Sequence, residues 1–230
     1  PHGVRAEINW NDWGYAGWTN DSCTAFPALT CLAASWNPLL AAKYGYAIGE
    51  EARYREKDVL LGPGVNIYRT PLNGRNFEYM GEDPYLASEL CVPYIQGVQK
   101  NGVAACVKHY ALNNQELWRG HIDVQLSDRA LYEIYLPAFK AAVERGKAWS
   151  IMGAYNKVRG THATHHKLLN NDILKGEWNF DGCVITDWGA AHDTYEAAMY
   201  GLDIEMGSYT NGLTSESEFG YDDYYLGKSY

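Results

Sequence analysis

The sequence predicts an α/β fold around a parallel sheet, a TIM-like (β/α)8 barrel that is incomplete at the N-terminus of this chain. Three observations carry that prediction. Short apolar runs at 58–61, 103–107, 148–152, 183–186 and 202–205 alternate with stretches of helical period, the order expected of parallel strands joined by helices. Neither a GxxxxGK[ST] loop nor a strand-linked GxGxxG occurs, which counts against a nucleotide-binding doubly wound sheet. Polar groups also follow successive runs: Arg75 in a loop, then Lys108-His109, Tyr155-Asn156 and Asp187-Trp188. Barrel active sites are assembled in that way at one end of the sheet.

Each element has its own signal. Pro1 to Asp21 is rich in Gly, Trp, Asn and Asp without a period and reads as a loop, either functional or disordered, and its tryptophans favour the functional reading. After the small apolar stretch Ala25 to Ser35, the spacing of Leu39, Leu40, Tyr44, Ala47, Ile48 and Ala52 predicts a helix from Pro38 with Asn37 as N-cap. Gly62-Pro63-Gly64 stops the strand 58–61, and Asn66 to Asp83 is irregular. Leu86, Leu90, Cys91, Tyr94, Ile95 and Val98 give the next helix, closed by Asn101-Gly102. Lys108-His109 ends the strand 103–107. Ser127 caps a long helix with inner face Leu131, Ile134, Tyr135, Phe139 and Val143, ending near Gly146. Leu168 to Leu174 is helical. Cys183 to Thr186 is β-branched and uncharged, a strand buried on both faces, and it ends in Asp187 and Trp188. Gly189 and Ala190 then open a helix-like segment with Tyr195, Ala198 and Met199 at helical spacing, before a last short strand, Leu202 to Glu205.

Composition bounds the partners. With 230 residues and a formal charge of −9, the chain suits one large domain and offers no basic patch for nucleic acid or an anionic membrane. No apolar run is long enough to span a bilayer, so a soluble protein is expected. The 19 tyrosines and 8 tryptophans suit flat-faced ligands such as sugar rings, although ordinary packing uses the same residues. The five cysteines, Cys23, Cys31, Cys91, Cys106 and Cys183, show no zinc spacing, and an odd number argues against a disulfide framework. Cys106 and Cys183 are expected to be buried in strands. Asn20-Asp21-Ser22 is a formal glycosylation sequon. The proline at position 1 and the Tyr/Asp-rich tail read as the ends of a piece of a longer chain. The tail after Met206 is loop-like, so residues 1–206 are expected to form the folded unit and 207–230 a linker.

Asp187 stands at the centre of this pattern. It either caps the following helix or carries chemistry. Several cations and a histidine around it would lower its pKa and keep it ionised. An ionised carboxylate in a cleft can be a nucleophile, a metal ligand or an anchor. Lys108 and the arginines would repel a metal ion. The same groups can donate to hydroxyls, and Trp188 offers a flat apolar face, so a pyranose and glycosyl transfer through a covalent intermediate fit the inventory.

The motifs resemble glycoside hydrolase family 3, in its β-glucosidase branch. Pro1-His-Gly-Val-Arg5, Leu61-Gly-Pro-Gly-Val-Asn66, Asn73 to Pro84 (NGRNFEYMGEDP), Val107 to Glu116 (VKHYALNNQE), Met152-Gly-Ala-Tyr-Asn156 and Ile185-Thr-Asp-Trp-Gly-Ala190 match its blocks in order. Met80 and Thr186 are mild departures from that pattern. The resemblance implies that Asp187 is the nucleophile and that Arg5, Arg75, Lys108, His109, Arg119 and Tyr155 line the sugar subsite. It implies that Trp188 flanks the scissile bond. Arg5 and Arg119 pairing with other acids, and Tyr155 as a core residue, remain open. Glu78, Glu82 and Asp83 read as loop braces, and His162, His165 and His166, without matching carboxylates, do not read as a metal site. No metal and no cofactor are expected.

By the same resemblance the protein is a retaining, exo-acting β-glucosidase, related to cellulose degradation and periplasmic or secreted, acting on β-glucosides or short β-glucan oligosaccharides. The family's sugar-binding Asp before Pro1 and its acid/base glutamate from a downstream domain of the same polypeptide lie outside these residues. A homo-oligomer is left open. The rivals are a β-xylosidase or broad β-glycosidase of the family, a non-catalytic carbohydrate-binding protein, and a barrel lyase using Lys108 as a Schiff base. The N-acetylglucosaminidase branch is disfavoured, because Lys108-His-Tyr-Ala-Leu-Asn-Asn114 replaces its histidine-bearing loop.

Overall fold

The structure is a computed structural model that describes residues 2–4 and 23–206. Arg5, the tryptophan-rich loop, the sequon and the 207–230 linker lie outside the described residues. In chain order the first helices are α1 (Leu29–Ala33) and α2 (Pro38–Tyr54), and the first strand is β1 (Val59–Leu60). Asn37 caps α2 as the sequence predicts, its side chain accepting from Leu39 N and Leu40 N. The buried stripe is Ala41, Tyr44, Gly45, Ile48, Gly49 and Ala52, while Leu39 and Leu40 stay exposed in the first turn, contrary to expectation.

Helix α3 (Pro84–Gln99), capped by Asp83, packs along α2. The contact is backbone-close. A Cβ on Gly45 would fall 2.1 Å from Tyr94 O, and one on Gly97 would fall 2.5 Å from Ala42 O. Gly102, at φ +70, then turns the chain into β2 (Ala104–Tyr110). That strand runs on through Lys108 and His109 instead of ending before them.

β3 (Asp123–Val124) precedes a helix that the sequence predicts as continuous and that the structure breaks. Ser127 does cap it, accepting from Ala130 N, but α4 (Asp128–Ala130) passes into a π turn over Leu131–Tyr135 before α5 (Pro137–Glu144) resumes. The i→i+5 bond from Leu136 N to Leu131 O, 3.0 Å, marks the extra residue. That insertion turns the buried face, so Leu136 enters the core and Ile134 is left exposed. β4 (Ser150–Gly153), β5 (Lys157–Val158) and β6 (Thr161–His162) follow, then a second widely wound helix, Leu168–Glu177. β7 (Cys183–Ile185) and α6 (Thr194–Met199) complete the described part.

The main sheet has the order β1-β2-β4-β7, all parallel, and helical segments connect its strands. Ile185 makes a further parallel bridge to Ile204, where the sequence places its last strand. A small sheet, β3-β5-β6, stands beside it. Alternation sorts the main strands into two faces. Ala105, Val107, Ile151 and Val184 belong to the large core under the helices. Cys106, Met152 and Ile185 form a separate layer on the opposite face, with Leu61, Trp188 and Met206 against it. Cys183, expected to be buried, sits at the exposed start of β7. Tyr195 and Met199 of α6 are also exposed, and Ala197 is the residue that faces the core.

Candidate active site

Asp187 follows Ile185 by two positions and Lys108 follows Cys106 by two, so both project from the sheet face that carries the smaller layer. Both lie at the C-terminal ends of their strands. Asp187 is 8% exposed and Lys108 9%. Asp187 Oδ1 accepts from Trp188 N at 2.8 Å, and Asp187 N reaches Gly153 O at 3.3 Å, tying the carboxylate to the end of β4. The helix-cap reading of Asp187 fails. α6 begins only at Thr194, and Asp193 caps it by accepting from Glu196 N.

His109, 1% exposed, brings Nε2 to 3.5 Å from Asp187 Oδ2. Its backbone is clamped by Asn66, whose Oδ1 accepts from His109 N at 2.8 Å and whose Nδ2 donates to His109 O at 2.9 Å. Arg75 Nη2 donates to Glu78 Oε2 at 2.5 Å and Nη1 lies 3.6 Å from Glu116 Oε1. Lys108 Nζ stands 3.9 Å from the same Glu78 oxygen. Arg119 Nη1 pairs with Glu116 Oε2 at 2.7 Å, and its guanidinium lies 4.2 Å over the Tyr155 ring. Trp188 is half-buried against Cys106, Met152 and Ile185.

The electrostatics differ from the sequence expectation at the central residue. Burial raises the pKa of Asp187 above the usual carboxylate value, and the Trp188 N–H, Arg119, Lys108 and Arg75 offset that rise only in part. The cations are real, but desolvation outweighs them. Burial also lowers Lys108, against the pull of Glu78, and holds His109 well below the usual imidazole value, helped by Lys108, Arg75 and Arg119. For Glu78 burial works upward, yet Lys108 and Arg75 prevail and its pKa is lowered. Glu78 and Glu116 are therefore part of the site, interleaved with its cations. Sequence reasoning reads Glu78 as a loop brace and keeps Glu78, Glu116 and Glu205 only as suspects for an acid/base inside these residues, and the NGRNFE and NNQE motifs are what mark the first two out. Glu82 stays exposed and Asp83 is spent on capping α3.

The histidine loop is also richer than expected. His165 Nδ1 lies 2.8 Å from Glu196 Oε2, so one carboxylate does reach it, and the His162 ring stacks on His192 at 4.0 Å. No set of three or more His, Cys, Asp or Glu side chains is placed to hold a metal ion among the described residues. Among them, too, no helix is long and apolar enough to cross a membrane.

Residues 11–206 match the glycosyl hydrolase family 3 N terminal domain. The chain belongs to that family. It is 44% identical, over 94% of its length, to thermostable beta-glucosidase B of Acetivibrio thermocellus, and 46% identical over 92% to an exo-alpha-(1->6)-L-arabinopyranosidase of Bifidobacterium longum. It spans 28% of each of these relatives. Among solved structures, beta-glucosidase 3B from Thermotoga neapolitana in complex with glucose is similar over 84% of this chain and 27% of that one. The TM-score is 0.82 at 44% identity.

Proposed function

We propose that this family 3 chain carries the nucleophile-bearing part of a retaining, exo-acting β-glucosidase, with residues 1–206 as most of a (β/α)8 barrel domain and 207–230 leading toward a second domain. One observation carries the reading: a nearly buried carboxylate, Asp187, at the C-terminal end of a parallel strand, ringed by Lys108, Arg75, Arg119 and a neutral His109. The sequential parallel order of the sheet and the strand-like bridge at Ile204 support the barrel.

In this mechanism an Asp187 oxygen attacks the anomeric carbon as the bond to the leaving oxygen breaks, and a general acid protonates that oxygen. Water, deprotonated by the same group, then cleaves the glycosyl ester and restores the carboxylate. Lys108, Arg75, Arg119 and His109 bind the hydroxyls of the non-reducing sugar, with Arg5 added from the segment before it. Tyr155 backs the Arg119 guanidinium, and Trp188 flanks the bond that breaks. Desolvation leaves the Asp187 carboxylate poorly hydrated, which favours attack once the sugar has displaced water.

The general acid comes from the polypeptide beyond residue 230. Glu78 is held ionised by Arg75 and Lys108, so it makes a poor proton donor, and both Glu116 oxygens are engaged by guanidinium groups. Asp187→Asn in the complete polypeptide tests the assignment. Turnover of an aryl β-glucoside is expected to vanish with the fold intact, and a kcat within about tenfold of the parent refutes it.

The identity to an arabinopyranosidase supports a second specificity, toward pentopyranosides that lack the C6 hydroxymethyl group. Comparing kcat/KM for nitrophenyl β-glucoside, β-xyloside and α-L-arabinopyranoside decides between them. A preference for either pentoside overturns the glucosidase assignment and keeps the mechanism.

A further inference from the structure

Tyr79 is as buried as the imidazole it meets, at 1% exposure for each. Its hydroxyl lies 2.9 Å from His109 Nδ1, the one hydrogen-bond partner it has among the described residues. The rings meet edge-on, with centroids 6.0 Å apart and planes at 82°. Tyr79 can approach because Gly64 has no side chain: a Cβ there would stand 2.8 Å from the tyrosine ring and 2.6 Å from Glu78 O. The backbone around the pair is fixed. Tyr79 N donates to Asn76 O at 3.1 Å, Tyr79 O accepts from the Tyr68 hydroxyl at 2.9 Å, and Asn66 holds both backbone groups of His109.

The protons in this chain can be placed one by one. A buried phenol must spend its single O–H on an acceptor, and the acceptor within reach is Nδ1. Nδ1 is then the unprotonated nitrogen of a neutral imidazole. The ring proton sits on Nε2, which faces Asp187 Oδ2 at 3.5 Å, and an ionised carboxylate can only accept. The opposite tautomer strands the phenol proton and turns a lone pair toward the carboxylate. Neutrality of His109 agrees with its burial among Lys108, Arg75 and Arg119.

We propose that Tyr79 is a positioning residue for the nucleophile: its hydroxyl holds His109 in the Nε2–H tautomer and so keeps an N–H, not a lone pair, on the ring atom 3.5 Å from Asp187 Oδ2. This rests on the reading of Asp187 as nucleophile. A donor aimed at a carboxylate favours its ionised form. The other groups that face Asp187 are Lys108 and Cys106 from β2, Arg75 from the loop after β1, Arg119 from the loop after β2, and the Trp188 N–H. Burial pushes the Cys106 thiol up to about 12, so it stays neutral.

The test is Tyr79→Phe in the complete polypeptide, which keeps the ring and removes the hydroxyl. The acid limb of kcat/KM against pH is expected to move to higher pH and kcat to fall about tenfold or more. Inhibition by glucose should change less than kcat, because Tyr79 reaches the sugar only through His109, one of several groups that bind it. In a His109→Gln background, where no ring tautomer exists, the same substitution should add little. An unmoved acid limb, or a full additional loss in the His109→Gln background, overturns the proposal. Neutron diffraction of the unsubstituted enzyme reads the tautomer without any variant: a deuteron on His109 Nε2 is expected, and one on Nδ1 alone overturns the proposal. Asp187→Asn run alongside separates the two readings. If that variant keeps turnover, the nucleophile assignment fails; if it is inactive while Tyr79→Phe behaves as the parent, only the role of Tyr79 fails.

Discussion

Lys108→Met separates binding from scaffolding within this site. Lys108 is 9% exposed, burial lowers its pKa, and its carboxylate partner, an oxygen of Glu78, is 3.9 Å away. Glu78 keeps a closer partner in Arg75 at 2.5 Å. Lys108 is thus desolvated with little return from the protein, and a methionine of similar length should change stability by no more than about 1 kcal/mol in either direction. In the proposed function its favourable partner is the sugar. Losing a charge-assisted hydrogen bond to a hydroxyl costs about 1.5–3 kcal/mol, which corresponds to roughly 10- to 150-fold in kcat/KM. Steady-state kinetics on a nitrophenyl β-glucoside, with calorimetric Tm on the same preparations, measures both. A clear drop in Tm with unchanged kcat/KM would show Lys108 to be a structural cation, and the subsite reading would fall with it.

Arg75→Ala should behave differently, lowering both Tm and kcat/KM, because Arg75 spans Glu78 and Glu116 and its removal leaves two half-buried acids facing each other; kinetics and calorimetry on one preparation check this. The acid limb of kcat/KM should titrate above the ordinary aspartate value of 3.8, because the folded protein binds the Asp187 proton more tightly than an exposed carboxylate does. The same shift makes stability linked to Asp187 complete below 3.8 and lost as pH rises through the raised pKa, so Asp187→Asn should flatten that part of the stability profile in urea titrations across pH. Gly153→Ala should cost about 1–3 kcal/mol and reduce activity, since the new Cβ would stand 2.7 Å from Thr164 Cα in the strand end that holds Asp187; denaturant unfolding reads the cost.

Elements with strong local signals were legible in the sequence. Asn37 and Ser127 cap where their side chains predict, and the apolar runs become parallel neighbours in chain order. What the sequence missed depends on facts that periodicity cannot carry. One residue inserted by the π turn at Leu131–Tyr135 turns Ile134 outward and Leu136 inward, although each position looks helical locally. Cys183 has the composition of a buried strand but occupies its open first position.

In the site, Lys108 and His109 from within β2 come together with Asp187 after β7, and Tyr155 meets them through the Arg119 guanidinium. Tyr79, Glu78 and Glu116 join them from loops whose path has no periodic signature. The direction of the Asp187 shift was misjudged for a related reason. A sequence displays the neighbouring charges but not the depth of burial, and burial decides the sign.

The central claim is that Asp187 forms a covalent bond to the sugar. Treating the complete polypeptide with a fluorinated glucoside bearing a dinitrophenyl leaving group, followed by proteolysis and mass spectrometry, tests it most directly. The fluorine slows the second step, so a glycosyl ester should accumulate on the peptide that contains Asp187, one per active site, with activity lost in proportion and regained as the ester turns over. An adduct on another carboxylate, or a turnover-competent enzyme that never forms one, would contradict the account.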